Sequence, residues 1–246
     1  EGNFGVATRI TVRLARIAGL TYLMNAARTL TAGAVDSGEK PSVLSAVVKA
    51  YLTESMRLVV NDAMDVQAGA GICRGPRNIL AHSYMAVPIG ITVEGANILT
   101  RTMIIFGQGA IRCHPFALEE MRAVAARDLG RFDRAVFGHM GFILRNAVRS
   151  WVLGLTGARF VCVPIGGIAG RYLQQFTRAS SAFALVADAA MATLGGNLTE
   201  TEKLSGRLAD VLAWMYLGSA AVKRFVDEGR PDADRPFLRW ACDHAL

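Results

Sequence analysis

The chain has 246 residues, 52% of them hydrophobic and 19% charged, so it carries enough apolar side chain for a substantial core and too much for a disordered segment. Twenty-seven Lys and Arg against 20 Asp and Glu leave a net charge of +7, which suits an acidic partner: nucleic acid, an anionic membrane surface, or phosphate groups. No nucleic-acid motif is present and the aromatics are not interleaved with the basic residues, so nucleic acid is set aside. Four scattered cysteines (Cys73, Cys113, Cys162, Cys242) form no C-x-x-C, indicate neither a zinc site nor a disulfide framework, and fit a reducing cytosol.

The chain opens at Glu1 without an initiator Met and is expected to be a piece of a longer protein. From Leu14 to Ala32 the spacing of Leu14, Ile17, Leu20, Leu23, Ala26 and Leu30 predicts a helix with a broad apolar face. Asp36–Pro41 reads as a turn, and Ser42 as the N-cap of a second helix from 43 to about 66. Two long helices joined by a short turn make an antiparallel hairpin, the start of a bundle. The arginines at 9, 13 and 16 are basic positions without an assigned role.

Gly69–Asn78 reads as a loop. Its glycines do not make a dinucleotide-binding turn, because Arg74 stands at the sixth position and no strand precedes; Gly69 and Gly71 can still let the backbone approach a phosphate or a neighbouring subunit closely. Arg74 and Arg77 read as surface charges. Ile79–Val93 is the longest uncharged apolar stretch, but His82 and Pro88 interrupt it, and it falls short of the roughly 18 residues of a membrane span.

Glu94 stands between two apolar runs, Met85–Val93 and Ile98–Phe106, the second broken only by Thr100, Arg101 and Thr102. A buried carboxylate is rare unless paired or at work, and burial raises its pKa toward what a general base for a carbon acid needs. The competing placement is an exposed loop, or a cap on the following helix. Residues 89–97 are expected to form a loop containing a short β-like run, Ile89–Val93, followed by a helix to about Gln108 and a break at Gly109–Pro115. Further helical patterns run near 116–128, 131–154, 171–194, 200–228 and 235–246, with Thr199-x-x-Glu202 as a capping box and Val161–Gly170 as a Gly-rich connector. The fold class is therefore all-α. Arg131, Arg134, Arg145, Arg149, Arg159, Arg171, Arg178 and Arg207 recur between apolar faces and read either as a solvated, ion-paired face or as contacts with an anionic membrane. Cys113-His114 lacks a second ligand pair at metal spacing, His82 and His139 read as lone structural histidines, and no metal is expected. Asn197-Leu198-Thr199 matches a glycosylation sequon in a chain without other signs of secretion.

Two of these stretches together carry a resemblance. VEGANILTR, 93–101, resembles the catalytic loop of the acyl-CoA dehydrogenases, usually Y-E-G-T before a helix. Asp65–Gly71, DVQAGAG, resembles that family's Q-I-x-G-G segment, and Gln67 precedes Glu94 by the family's 27 residues. EGANILTRTMIIFGQGAIRCHP is similar to the large bacterial fatty-acyl-CoA dehydrogenases of the FadE type, which carry an extra helical region. The resemblance implies a C-terminal helical bundle over residues 1–110 and a helical extension over 111–246, within an enzyme oxidising fatty acyl-CoA to trans-2-enoyl-CoA in β-oxidation. It implies Glu94 as the base, Gly95 against substrate, and Gln67, Ala68, Gly69, Ala70, Gly71, Ala96, Asn97 and Ile98 along an FAD cofactor, within one subunit or across a dimer interface. Ala96 replaces the usual Thr and Ala70 the first Gly of the paired glycines; Asn97 is expected to compensate for the lost hydroxyl. An acyl-CoA substrate, an electron-transfer flavoprotein acceptor, a homodimer, a bacterial cytoplasmic setting and peripheral membrane association follow as expectations. Arg207–Phe225 resembles the membrane-contact region of the very-long-chain enzymes. The alternative is a non-catalytic helical dimerisation or membrane-docking module derived from such an enzyme.

Overall fold

A computed structural model describes residues 2–195 and 202–246. Among them every regular element is helical, as the 3.6-residue periodicity predicts. The capping box and the sequon fall on or across residues 196–201, outside the described residues. Two compact units form: residues 1–100 with 216–245, and residues 101–215 with 246. These units cut the chain differently from the sequence boundary expected near residue 110.

In the first unit, α1 (Gly2–Asp36) and α2 (Ser42–Gln67) form the expected hairpin, each longer than its apolar stripe suggested. Ser42 is the first helical residue rather than the cap; Pro41 holds the cap position and makes no side-chain bond. Leu20, Leu23, Ala26 and Ala27 of α1 and Val47, Ala50 and Val60 of α2 are buried. So is Asp62 of α2, which Arg13 and Arg16 of α1 clamp with charge-assisted hydrogen bonds. After α2, Ala68 takes a left-handed φ of 52° and a four-residue helix, α3 (Gly69–Ile72), stands inside the predicted loop. α4 (Ala81–Thr92) then runs back along α2. The β-like reading of Ile89–Val93 is thus corrected: 89–92 end a helix that carries Pro88 within it. The later half of α10 (Glu202–Asp227) and α11 (Arg235–Ala245) complete this unit. Thr31 and Tyr216 hydroxyls bond at 2.7 Å, Arg224 stacks 4.2 Å over the Tyr22 ring, and Phe225, Leu238, Ala241 and Cys242 are buried.

A three-residue helical turn, α5 (Asn97–Leu99), leads into π-helix over Thr100–Gln108. Helix continues as α6 (Gly109–Cys113), so the break expected from Gly109 is confined to the residues before α7 (Ala117–Ala125). In the second unit α7, α8 (Leu129–Thr156) and α9 (Gly167–Leu194) pack in sequence. Asp128 caps α8 by accepting the Arg131 N–H at 3.0 Å, and Gly157 ends it in the left-handed conformation that terminates many helices. Phe106 and Phe183 meet edge to face at 6.1 Å, and Arg101 pairs with Asp210. One face of α8 stays uncovered: Phe137, Met140, Leu144, Val148, Trp151 and Leu155, at helical spacing, are all exposed. Among the described residues, no single helix is long and apolar enough to cross a membrane.

Candidate functional site: an exposed carboxylate turn clasped to a helix

The first unit presents Glu94 on a tight turn between α4 and α5. Glu94 has φ 55° and Gly95 φ 90°, two successive left-handed residues. Glycine adopts this freely, whereas at a glutamate it costs about 1–2 kcal/mol. The turn is therefore imposed by its surroundings, and the bonds that impose it are on α2. Lys49 Nζ donates to the Gly95 carbonyl at 2.6 Å and to Asn97 Oδ1 at 2.8 Å. The Asn97 amide nitrogen donates to the Ala50 carbonyl at 3.2 Å, Thr53 Oγ1 at 2.8 Å and Glu54 Oε1 at 3.1 Å. Thr100 Oγ1 adds a weaker bond to the Gly95 carbonyl at 3.4 Å.

This arrangement corrects two expectations. Glu94 is exposed, not sunk in a dry apolar pocket of this chain. The turn swings it outward, and the apolar runs on either side in sequence are themselves largely exposed: Met85, Ile89, Val93, Ile98 and Leu99 all reach the surface. Asn97 is buried, and both ends of its side-chain amide are committed to α2. It holds the turn in place and does not offer its amide outward in place of the missing Thr hydroxyl at Ala96. Ala96 is half-buried and Ile98 exposed.

The 67–71 segment lies at the other end of α2. Gln67 donates to the Arg77 carbonyl at 2.9 Å, and its buried Oε1 has no partner among the described residues. Asn78 donates to the Gly71 carbonyl at 2.6 Å and fixes the loop. Gly71 is buried with the Met64 carbonyl 3.0 Å from where a Cβ would stand; Ala68, Gly69 and Ala70 are exposed. A cleft of about 1040 Å³ opens beside them, lined by Ala68, Gly71, Arg74, His82 and Met85 among others. From Thr53, beneath the Glu94 turn, to Gln67 is 14 residues of helix, about 21 Å at 1.5 Å per residue. The two motifs therefore do not meet within one chain.

The second unit gathers a cluster that the sequence reading missed. His114, His139 and Asp188 place ligand-type atoms within 4.8 Å of one another. His139 Nδ1 lies 2.8 Å from Glu120 Oε1, and its Nε2 lies 3.4 Å from Asp188 Oδ1. His114 Nδ1 accepts the N–H groups of Phe116 and Ala117, at 3.2 and 3.0 Å, and so caps α7. That assigns its proton to Nε2, so His114 turns an N–H rather than a lone pair toward Asp188. Nε2 is 2.8 Å from Asp188 Oδ1 but too far off line to make a directed hydrogen bond, and Asp188 Oδ2 has no partner among the described residues. Burial lowers the His114 pKa below 6.5 against the opposing pull of Asp188, which keeps the ring neutral. The side chain of Asp188 is only 2% exposed. No sequence spacing flags this cluster, because its members come from the α6–α7 turn, α7, α8 and α9. Of the arginines grouped in the sequence, Arg131 pairs with Glu119, Arg171 bonds the Gly157 carbonyl and Gln174, and Arg145 lies 5.7 Å over Phe142; none of these three shows a ligand role.

The described residues thus define an all-α chain whose first unit presents a glutamate on a strained turn. Two family models cover it: "Acyl-CoA dehydrogenase, C-terminal domain" over residues 6–107, and "Acyl-CoA dehydrogenase, C-terminal, bacterial type" over residues 111–246. The chain belongs to the acyl-CoA dehydrogenase family, as its C-terminal portion.

Proposed function

We propose that this chain forms the C-terminal catalytic part of an FAD-dependent enzyme that oxidises fatty acyl-CoA to trans-2-enoyl-CoA in β-oxidation, with Glu94 as the base that removes the α-proton. The observation that carries this reading is the Glu94–Gly95 turn: a carboxylate held outward on an imposed left-handed backbone, with exposed apolar residues directly before and after it in the chain, in a member of this family. Backbone strain at an exposed acidic residue is unusual, and it gathers at sites of chemistry. Val93, Ile98 and Leu99 would be covered by acyl chain and flavin in the complete enzyme, and the carboxylate would then lose its water.

The residues present fit a flavin nucleotide. Gln67 holds a buried oxygen without a partner among the described residues, Gly69 has open space where a Cβ would stand, and the neighbouring cleft carries Arg74. When bound, the flavin accepts the hydride from the β-carbon. The chain's own work is positional and acid–base. Glu94 takes the proton, its own backbone N–H would donate to the thioester oxygen together with a flavin ribityl hydroxyl, and donors placed there stabilise developing negative charge. Because the two motifs stand about 21 Å apart along α2, we read the 67–71 segment as serving the flavin of a second subunit in a homodimer. An electron-transfer flavoprotein is the proposed acceptor and the bacterial cytoplasm the proposed setting.

The uncovered stripe of α8, flanked by Arg134, Arg145 and Arg149, supports a second role for the C-terminal segment in peripheral attachment to an anionic membrane. The primary reading is tested on the full-length protein: its visible flavin spectrum should bleach on anaerobic addition of a fatty acyl-CoA. A purified protein without flavin, or one whose flavin an acyl-CoA series leaves oxidised, contradicts the assignment.

A further inference from the structure

We propose that Lys49 is a positioning residue for the base: through Asn97 it locks the Glu94 turn in its left-handed form, and proton abstraction depends on that lock. The inference rests on Glu94 being the base, and it adds a residue from a different helix, 45 positions upstream, that no motif marks.

The argument begins with an amide between two charges. Lys49 and Glu54 stand on α2, five residues apart, and Asn97 lies between them. Its Oδ1 faces the Lys49 ammonium and its Nδ2 faces the Glu54 carboxylate, so both ends of the amide dipole meet the sign they prefer. The same assignment satisfies the Ala50 carbonyl and Thr53 Oγ1, which leaves one orientation for the amide. Asn97 is buried, so its amide is shielded from competing water, while Lys49 and Glu54 keep part of their own hydration.

The second part is what the lock holds. Lys49 Nζ also donates to the Gly95 carbonyl at 2.6 Å, the shortest of the bonds on this turn. Gly95 follows directly after Glu94, and both carry positive φ. With the Gly95 carbonyl pinned to α2 and Asn97 anchored two residues on, the Gly95–Ala96 peptide is fixed in place, and the turn cannot return to the ordinary region without breaking both attachments. Packing alone does not hold the turn, because Val93, Glu94 and Ile98 are exposed. Gly90, at the end of α4, lies 3.3 Å by its Cβ position from the Thr53 methyl, which fixes the entry side of the turn against the same stretch of α2. Lys49 thus touches neither substrate nor flavin in this account. It sets where the carboxylate stands, and a displacement of about 1 Å at a reacting group costs about a hundredfold in rate.

The experiment measures single-turnover flavin reduction by acyl-CoA in the full-length holoenzyme, comparing wild type, Lys49→Met, Lys49→Arg, Thr53→Val and Glu94→Gln. Lys49→Met should lower the limiting reduction rate by about 10- to 100-fold while the acyl-CoA dissociation constant, flavin content and melting temperature stay near wild type. Lys49→Arg should recover most of the rate, since a guanidinium can still bond both oxygens. Thr53→Val, which removes one acceptor of Asn97 without changing volume, should lose only a few-fold. A wild-type rate in Lys49→Met overturns the inference, as does a loss of rate that tracks loss of flavin or folding and appears equally in Lys49→Arg. If Lys49→Met is slow only through weaker acyl-CoA binding, the residue acts on substrate and the positioning role is overturned. A fully active Glu94→Gln removes the base and the inference with it, whereas an inactive Glu94→Gln beside a wild-type Lys49→Met removes the inference alone.

Discussion

Three residues set the chemistry of this chain by what they are bonded to rather than by their type. Glu94 is exposed, Asn97 is buried and Asp62 is buried, yet in the sequence each is simply a polar residue in an apolar run. Asp62 shows the energetics most clearly. The Arg16 guanidinium, assisted by Arg13, holds its carboxyl below the ordinary value of 3.8 against the opposing push of burial. A carboxyl whose pKa is lower folded than unfolded stabilises the fold above the unfolded value and loses that contribution as the pH falls through the folded one. Asp62→Ala should cost about 2–3 kcal/mol, below the range for fully buried pairs because both arginines keep part of their hydration. Denaturant titrations at neutral pH measure that loss. The difference between wild type and variant should shrink as the pH falls through the folded pKa of Asp62, and a difference that grows on acidification would contradict the assignment. The clamp was not legible: Arg13 and Arg16 share one face of α1 by helical spacing, but nothing in the sequence assigned them a role. What the sequence could not supply was the partner, 46 residues away on another helix.

At the scale of elements, the long helices were legible because their apolar stripes are long and regular, and their ends were less so. α2 and α8–α11 stand close to where periodicity puts them, whereas α1 begins at Gly2, well before the stripe expected from Leu14. The errors gather around the site. Ile89–Val93 looks extended because it is β-branched and apolar, but packing along α2 makes most of it helical despite Pro88. Gly109 looks like a breaker, and π-helix runs straight into it. π-helical segments are frequent at functional sites, and this one follows directly from the Glu94 turn. Glycine likewise acts at two positions in opposite ways. Gly170, early in α9, has the Ile165 carbonyl oxygen 2.1 Å from where a Cβ would stand. Gly170→Ala should therefore destabilise the chain by about 1–3 kcal/mol, since backbone cannot yield as a flexible side chain can. Gly141, in the middle of α8, has nothing within 4 Å. Gly141→Ala should stabilise by up to about 1 kcal/mol, because alanine favours the helix interior. Denaturation midpoints of the two variants should move in opposite directions; a shared direction would show that the α9 contact is not the constraint described.

For the whole molecule, two paired motifs told more about identity than any measure of composition. Gln67 and Glu94 at family spacing pointed to the acyl-CoA dehydrogenases, and the two family models agree. The surroundings of those motifs were not legible, for a physical reason: the exposure of Glu94, Ile98 and the α8 stripe is decided by which surfaces other chain or ligand covers, and hydropathy in one segment does not encode that. Nor could spacing reveal the His114–His139–Asp188–Glu120 cluster, whose members meet only once helices pack. The central claim is the base, and it is tested by single-turnover flavin reduction in full-length Glu94→Gln. The amide keeps the shape of the turn and the Lys49 clasp but cannot accept the proton. The account predicts retained flavin, near-normal acyl-CoA binding and flavin reduction slowed by about a thousandfold or more; flavin reduced at close to the wild-type rate would contradict it.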